Sequence, residues 1–193
     1  MKQTNRRNQG NTVNTVNQKS KVYQVTDKPI SKLKASLLVL MISFVVFQIT
    51  THLTIVFTES INATLLWEVD SQPQFGDYGN YPLDTIHIPA KSKLKNITAN
   101  KTKNADYIIV TKKVACVSGQ TLWSDGLAYY CDGIQLGFAK TTTRKGEVLN
   151  PFQYNGIIPD GKLFLLGEHK DSFDSRYWGF ADASLVKKAI KII

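Results

Sequence analysis

The sequence predicts a mainly β domain standing behind a single N-terminal transmembrane helix. Three observations predict it. No residue between Lys34 and Glu59 is charged, and the stretch ASLLVLMISFVVFQI inside that interval is dense in Leu, Val, Ile and Phe. Further on, short runs of β-branched and aromatic residues recur between turn signals such as Asp125-Gly126, Asp132-Gly133 and Pro159-Asp160-Gly161. Only residues 182–193 carry a pattern with helical spacing.

The first element, residues 1–34, is rich in Asn, Gln, Thr and Lys, too polar to build a core, and reads as a disordered tail. It concentrates the charge of the chain. The net charge is +9, yet eight basic residues (Lys2, Arg6, Arg7, Lys19, Lys21, Lys28, Lys32 and Lys34) stand here against one acid, Asp27. The remainder is close to neutral, which argues against a nucleic-acid-binding face on the folded part.

Residues 35–57 are long enough for a membrane helix, which needs roughly 20 apolar residues. The preceding segment is too long for a cleaved leader, and no small-x-small cleavage site precedes Glu59, so the span reads as an uncleaved anchor. The basic tail then belongs on the cytoplasmic side and residues 58–193 across the membrane, by the preference of Lys and Arg for the inner face.

In the outer domain, strands are expected at 85–88, 107–117, 119–123, 127–131, 134–138 and 163–166, with a polar surface loop at 91–103. The end, KAIKII, fits a helix or a last strand equally. Cys116 and Cys131 are a candidate disulfide in an oxidising compartment, worth roughly 3 kcal/mol on the chain-entropy argument. His52, His87 and His169 are dispersed, and no Cys/His spacing reads as a metal site, so no cofactor is expected.

Three features carry chemistry. Ser60 follows the span closely, within about 10 Å of its end at roughly 3.3 Å per residue, but a serine needs a base to act as a nucleophile. The apolar run YIIVTKKVACV contains Lys112 and Lys113, whose side chains point to opposite faces of a strand. One of them therefore points inward, and a buried amine loses charge through desolvation and can take a proton near neutral pH. The third feature, GEHKDSFDSRYWG at 167–179, sets eight polar or ionisable side chains beside a Tyr-Trp-Gly step. Its short polar residues can bond back to the backbone, and Arg176 can fork onto a carboxylate. A Ser-His-Asp arrangement using His169 and Asp171 is a weaker reading, because triads are recognised by geometry and not by spacing.

The order of Ser60, Lys112 and the 167–179 block after one span resembles the type I signal peptidases, the Ser-Lys dyad proteases of family S26, and within them the TraF-type conjugative-transfer maturation peptidases. Ser60-Ile61-Asn62-Ala63-Thr64-Leu65 resembles the family's Ser-Met-x-Pro-Thr-Leu, without its Met and Pro. Lys112-Lys113-Val114 resembles Lys-Arg-Val, and Ser172-Phe173-Asp174-Ser175-Arg176-Tyr177-Trp178-Gly179 keeps the second half of the family's last block. Glu168 and His169 stand where that block has Asp-Asn.

The resemblance implies a signal-peptidase-like β-sheet domain with Ser60 as nucleophile and Lys112 as base. It further implies that Ser172 orients the lysine, that Asp174 and Arg176 pair to fix the loop, and that the Ser60 N–H and the Thr58 hydroxyl receive the oxyanion. The implied partners are the lipid bilayer and an exported precursor with small residues before the cut, such as a prepilin, at a bacterial inner membrane with the catalytic domain periplasmic. A general signal peptidase and an inactive envelope scaffold are the alternatives. Asn-x-Ser/Thr sites stand at Asn62, Asn96 and Asn100, and a glycan on Asn62 would crowd Ser60, which favours a bacterial setting or chance occurrence of the motif.

Overall fold

The computed structural model describes residues 31–89, 100–101 and 106–193. The expected tail and most of the expected 91–103 loop lie outside the described residues. The chain divides into Met1–Ile42 and Ser43–Ile193.

Helix α1 (Lys32–His52) has mean hydropathy 2.0 and no buried residue, and it is long and apolar enough to cross a membrane. It ends sooner than the apolar run does. Residues Leu53–Ile55, expected at the end of the span, form strand β1 and pair with β2 (Leu65–Glu68). Their β-branched residues suit a strand as well as a helix, and tertiary pairing decides.

The large sheet continues with β3 (Tyr78–Asp84), β4 (Asn100–Lys101) and β5 (Asp106–Val117). The small sheet holds β6 (Thr121–Asp125), β7 (Ala128–Cys131), β8 (Ile134–Phe138) and β9 (Asn155–Ile157), in the order β8-β7-β6-β9. Then come β10 (Lys162–Leu166), the one-turn helix α2 (Ser175–Trp178), β11 (Ala181–Asp182) and β12 (Lys187–Lys191). Among the described residues the large sheet runs β1-β2-β12-β3-β5-β10-β11, with β4 beside β5, and every pairing is antiparallel. The molecule is mainly β, as the sequence predicts.

Two expectations change and an open one is decided. Residues 85–88 are not a strand: Thr85–His87 is a 3-10 turn whose start is capped by the Asp84 carboxylate. The strand there is β3, whose Gly79, Asn80 and Pro82 hid it from a hydrophobic pattern. The end, left open between helix and strand, is strand over residues 187–191, and β12 inserts between β2 and β3. The 91–103 loop surrenders Asn100 and Lys101 to β4.

Strand β5 is the spine of the domain. Ile108, Val110, Lys112, Val114 and Cys116 are all buried, so the lysine occupies a place in a period-2 row of core positions. The row joins two apolar clusters, one of Leu83, Ile88, Ile108 and Val110 and one of Val114, Leu163, Leu165 and Val186. Its far end carries the disulfide from Cys116 to Cys131 on β7, with Cα atoms 5.9 Å apart, which ties the two sheets together. The β7–β8 hairpin turns on Asp132 and Gly133, both at positive φ, the geometry that two-residue hairpins favour.

Candidate active site

Ser60 is presented by a short loop between β1 and β2. The loop alternates: Ile61 and Ala63 are buried in a cluster with Leu66 and Ala189, while Ser60 is half-buried and Asn62 exposed. Burial of two apolar side chains thus holds the serine at the surface. The Thr58 hydroxyl donates to Ser60 Oγ at 3.1 Å. Both residues line a groove of about 800 Å³ whose other walls include Lys140, Arg144, His169 and Phe173.

Beneath the groove lies Lys112, only 3% exposed, with its Nζ donating to Ser172 Oγ at 2.8 Å. Burial pulls its pKa down from 10.5 to about 8; Asp174 pushes it up and Arg176 pulls it further down. Lys113 faces the other way, half-exposed, 3.7 Å from Glu168.

Gly167 is the hub between serine and lysine. A Cβ added there would overlap Ser172 Oγ and come within 2.9 Å of the Ser60 carbonyl oxygen. Ser60 and the Ser172 that holds Lys112 therefore converge on the same side of one glycine. The Ser60 carbonyl also accepts from the Glu168 N–H at 2.7 Å and the His169 N–H at 3.2 Å.

The loop after Gly167 is fastened by a buried ion pair. Arg176 donates Nε to Asp174 Oδ1 at 2.8 Å and Nη2 to Oδ2 at 2.6 Å, a bidentate fork with both residues out of water. Asp174 also accepts from the Gly167 and Arg176 N–H groups, and capping the latter starts α2. The remaining guanidinium nitrogen reaches the Phe138 carbonyl at 2.5 Å, joining the loop to the small sheet. Ser175 Oγ accepts the Leu165 N–H, and the Tyr129 hydroxyl, its pKa pushed up to about 12 by burial, donates to the Phe152 and Arg176 carbonyls. Trp178 stacks on Tyr81 as a packing residue, whereas Tyr177 lines the groove.

Of the sequence-predicted site residues, Thr58, Ser60 and Ser172 line the groove, Lys112 bonds to Ser172, and Asp174 and Arg176 pair inside the 167–179 loop. The cysteines lie apart and serve the sheets. His169 does line the groove, but its Nδ1 accepts the Asp171 N–H, and the Asp171 carboxylate is taken by Lys140 and Arg144, which hold its pKa down to about 2. That arrangement does not offer His169 to Ser60 as a base. No group of three or more His, Cys, Asp or Glu side chains suited to a metal occurs among the described residues.

One contact was invisible in the sequence. Glu168 accepts the Asn62 N–H at 2.6 Å and the Tyr78 hydroxyl at 3.1 Å, residues 106 and 90 positions away in the chain. Only its place beside Gly167 hinted at a role.

A 38-residue part of this chain is 55% identical to a signal peptidase I of Buchnera aphidicola subsp. Acyrthosiphon pisum (strain APS). The match covers 19% of this chain and spans 12% of that protein's length. The family described as signal peptidase, peptidase S26, matches over residues 30–193, which takes in the helix, both sheets and every residue of the site. The chain belongs to that family.

Proposed function

We propose that this protein is a membrane-anchored serine endopeptidase that cuts exported precursors with a Ser60–Lys112 dyad. The observation that carries the reading is a buried amine with a depressed pKa, bonded to a Ser172 that meets the Ser60 carbonyl on one side of Gly167. Family membership and the apolar helix α1 support the same conclusion.

The chemistry follows from those groups. Neutral Lys112 takes the hydroxyl proton as Ser60 Oγ adds to the scissile carbonyl, and the ammonium so formed returns that proton to the departing amine. The acyl-enzyme is cleared by a water that Lys112 deprotonates, which restores the serine. The Thr58 hydroxyl and the Ser60 N–H receive the developing oxyanion; losing one such donor typically costs on the order of 3 kcal/mol. Ser172 fixes the amine through its 2.8 Å bond.

The basic tail and the span support an orientation with the N-terminus in the cytoplasm and residues 58–193 outside, in the periplasm of a bacterial inner membrane. The likeness of DSFDSRYWG to the conjugative type makes a prepilin the substrate we favour, cut after small residues. A general signal peptidase is the second reading, favoured by the 38-residue match to a signal peptidase I.

Co-expression with prepilins and with ordinary secretory precursors separates the two readings by which set is processed. Ser60→Ala and Lys112→Ala are expected to lower processing by at least about 10²-fold, in the range general-base catalysis supplies, while Lys113→Ala retains some of it. Full processing by Ser60→Ala would overturn the assignment.

A further inference from the structure

We propose that Glu168 is a positioning residue that sets the attack geometry of Ser60 by stapling the nucleophile loop from below. The inference rests on the dyad reading above. The stretch Ser60-Ile61-Asn62-Ala63-Thr64 contains no proline, so no residue in it has a locked φ, and its shape depends on what its backbone bonds to.

Glu168 supplies that restraint from two directions. Its backbone N–H donates to the Ser60 carbonyl at 2.7 Å, and its carboxylate accepts the Asn62 N–H at 2.6 Å. The loop is thereby gripped on both sides of Ile61. The same carboxylate is itself aimed, by the Tyr78 hydroxyl at 3.1 Å from β3 and by Lys113 at 3.7 Å from β5. A charged acceptor on a backbone N–H is roughly twice as strong as a neutral one.

The geometry also gives Lys113 a purpose. Lys112 and Lys113 are adjacent on β5 and point to opposite faces; one bonds Ser172 and the other holds the carboxylate that holds the Ser60 loop. Because Glu168 follows Gly167, against which Ser172 packs, a single two-residue step sets both partners of the dyad.

The test compares Glu168→Ala, Glu168→Gln and Lys113→Met in the full-length protein in detergent. Two readouts are taken: precursor cleavage, and hydrogen exchange at the amides of residues 60–65. In Glu168→Ala we expect kcat to fall about 10- to 100-fold with KM within twofold, the midpoint of the pH–rate profile to stay near 8, and the Asn62 amide to lose its protection. Glu168→Gln keeps an acceptor for the Asn62 N–H and is expected to restore protection and most of kcat; Lys113→Met should have the smallest effect.

A folded Glu168→Ala with unchanged kcat overturns the inference, as does a loss that tracks melting temperature alone or appears equally in KM. If even the unaltered protein cleaves no precursor, the dyad reading fails instead, while the exchange result still decides whether Glu168 holds the loop.

Discussion

At the residue scale the decisive question is the charge on one amine. With its pKa pulled down to about 8, Lys112 is neutral in about one molecule in ten at pH 7, so cleavage is expected to rise nearly tenfold per pH unit below 8 and to level off above it. Stability follows the same titration. The folded pKa lies below the ordinary 10.5, so between about 8 and 10.5 the unfolded chain binds more protons and stability rises with pH; below about 8 the cost of the buried charge is present in full. Lys112→Met is therefore expected to abolish cleavage yet raise the melting temperature at pH 7 by a few degrees, with the gain vanishing near pH 10.5. Thermal unfolding across that range checks it, and a Met variant less stable at pH 7 would contradict it. Much of this residue was legible in the sequence, because a strand puts consecutive lysines on opposite faces. Which face held the core was not, since apolar residues flank both; the burial of Lys112 in one row with Ile108, Val110, Val114 and Cys116 settles it.

At the scale of elements, the 167–179 loop behaves as one unit because its centre is a fully buried carboxylate with four donors around it. Such a pair is costly to break from one side, since the survivor is left as an uncompensated buried charge. Asp174→Asn is expected to destabilise by about 3–5 kcal/mol, read as a shift in denaturant midpoint at constant slope. Asp174→Leu combined with Arg176→Met should cost less than Asp174→Asn alone, and a double variant worse than the single one would contradict the account. The polar spacing of DSFDSR made the pair readable in the sequence, because a fork needs only a carboxylate two residues from an arginine. The strands that receive the loop were less so. β3 is broken up by Gly79, Asn80 and Pro82 and β12 by three lysines, and each is held by its neighbours on both sides. Glu168 was illegible for a related reason: its partners Asn62 and Tyr78 come from distant parts of the chain, and nothing local announces them.

At the scale of the whole molecule, the disulfide tests the topology. Cys116 and Cys131 are both buried and joined, and no free cysteine exists in the chain. A disulfide persists in the oxidising space outside the bacterial cytoplasm, where thiols escape the reductants that keep cytosolic cysteines free. The placement proposed from the basic tail and helix α1 therefore predicts a chemical state for two residues far along the chain from either. In cells quenched with acid, a thiol-alkylating reagent added under denaturing conditions should leave the protein unmodified until it is reduced, and should then add at two sites. The same protein made without residues 1–52, and so retained in the cytosol, should take up two labels without reduction. Its melting temperature should be lower, in keeping with the roughly 3 kcal/mol that a loop of this length confers. Labelling of the full-length chain without reduction would mean that the β domain faces the cytoplasm, and the positive-inside argument for residues 1–34 would fall with it, since both statements describe the same orientation of one helix.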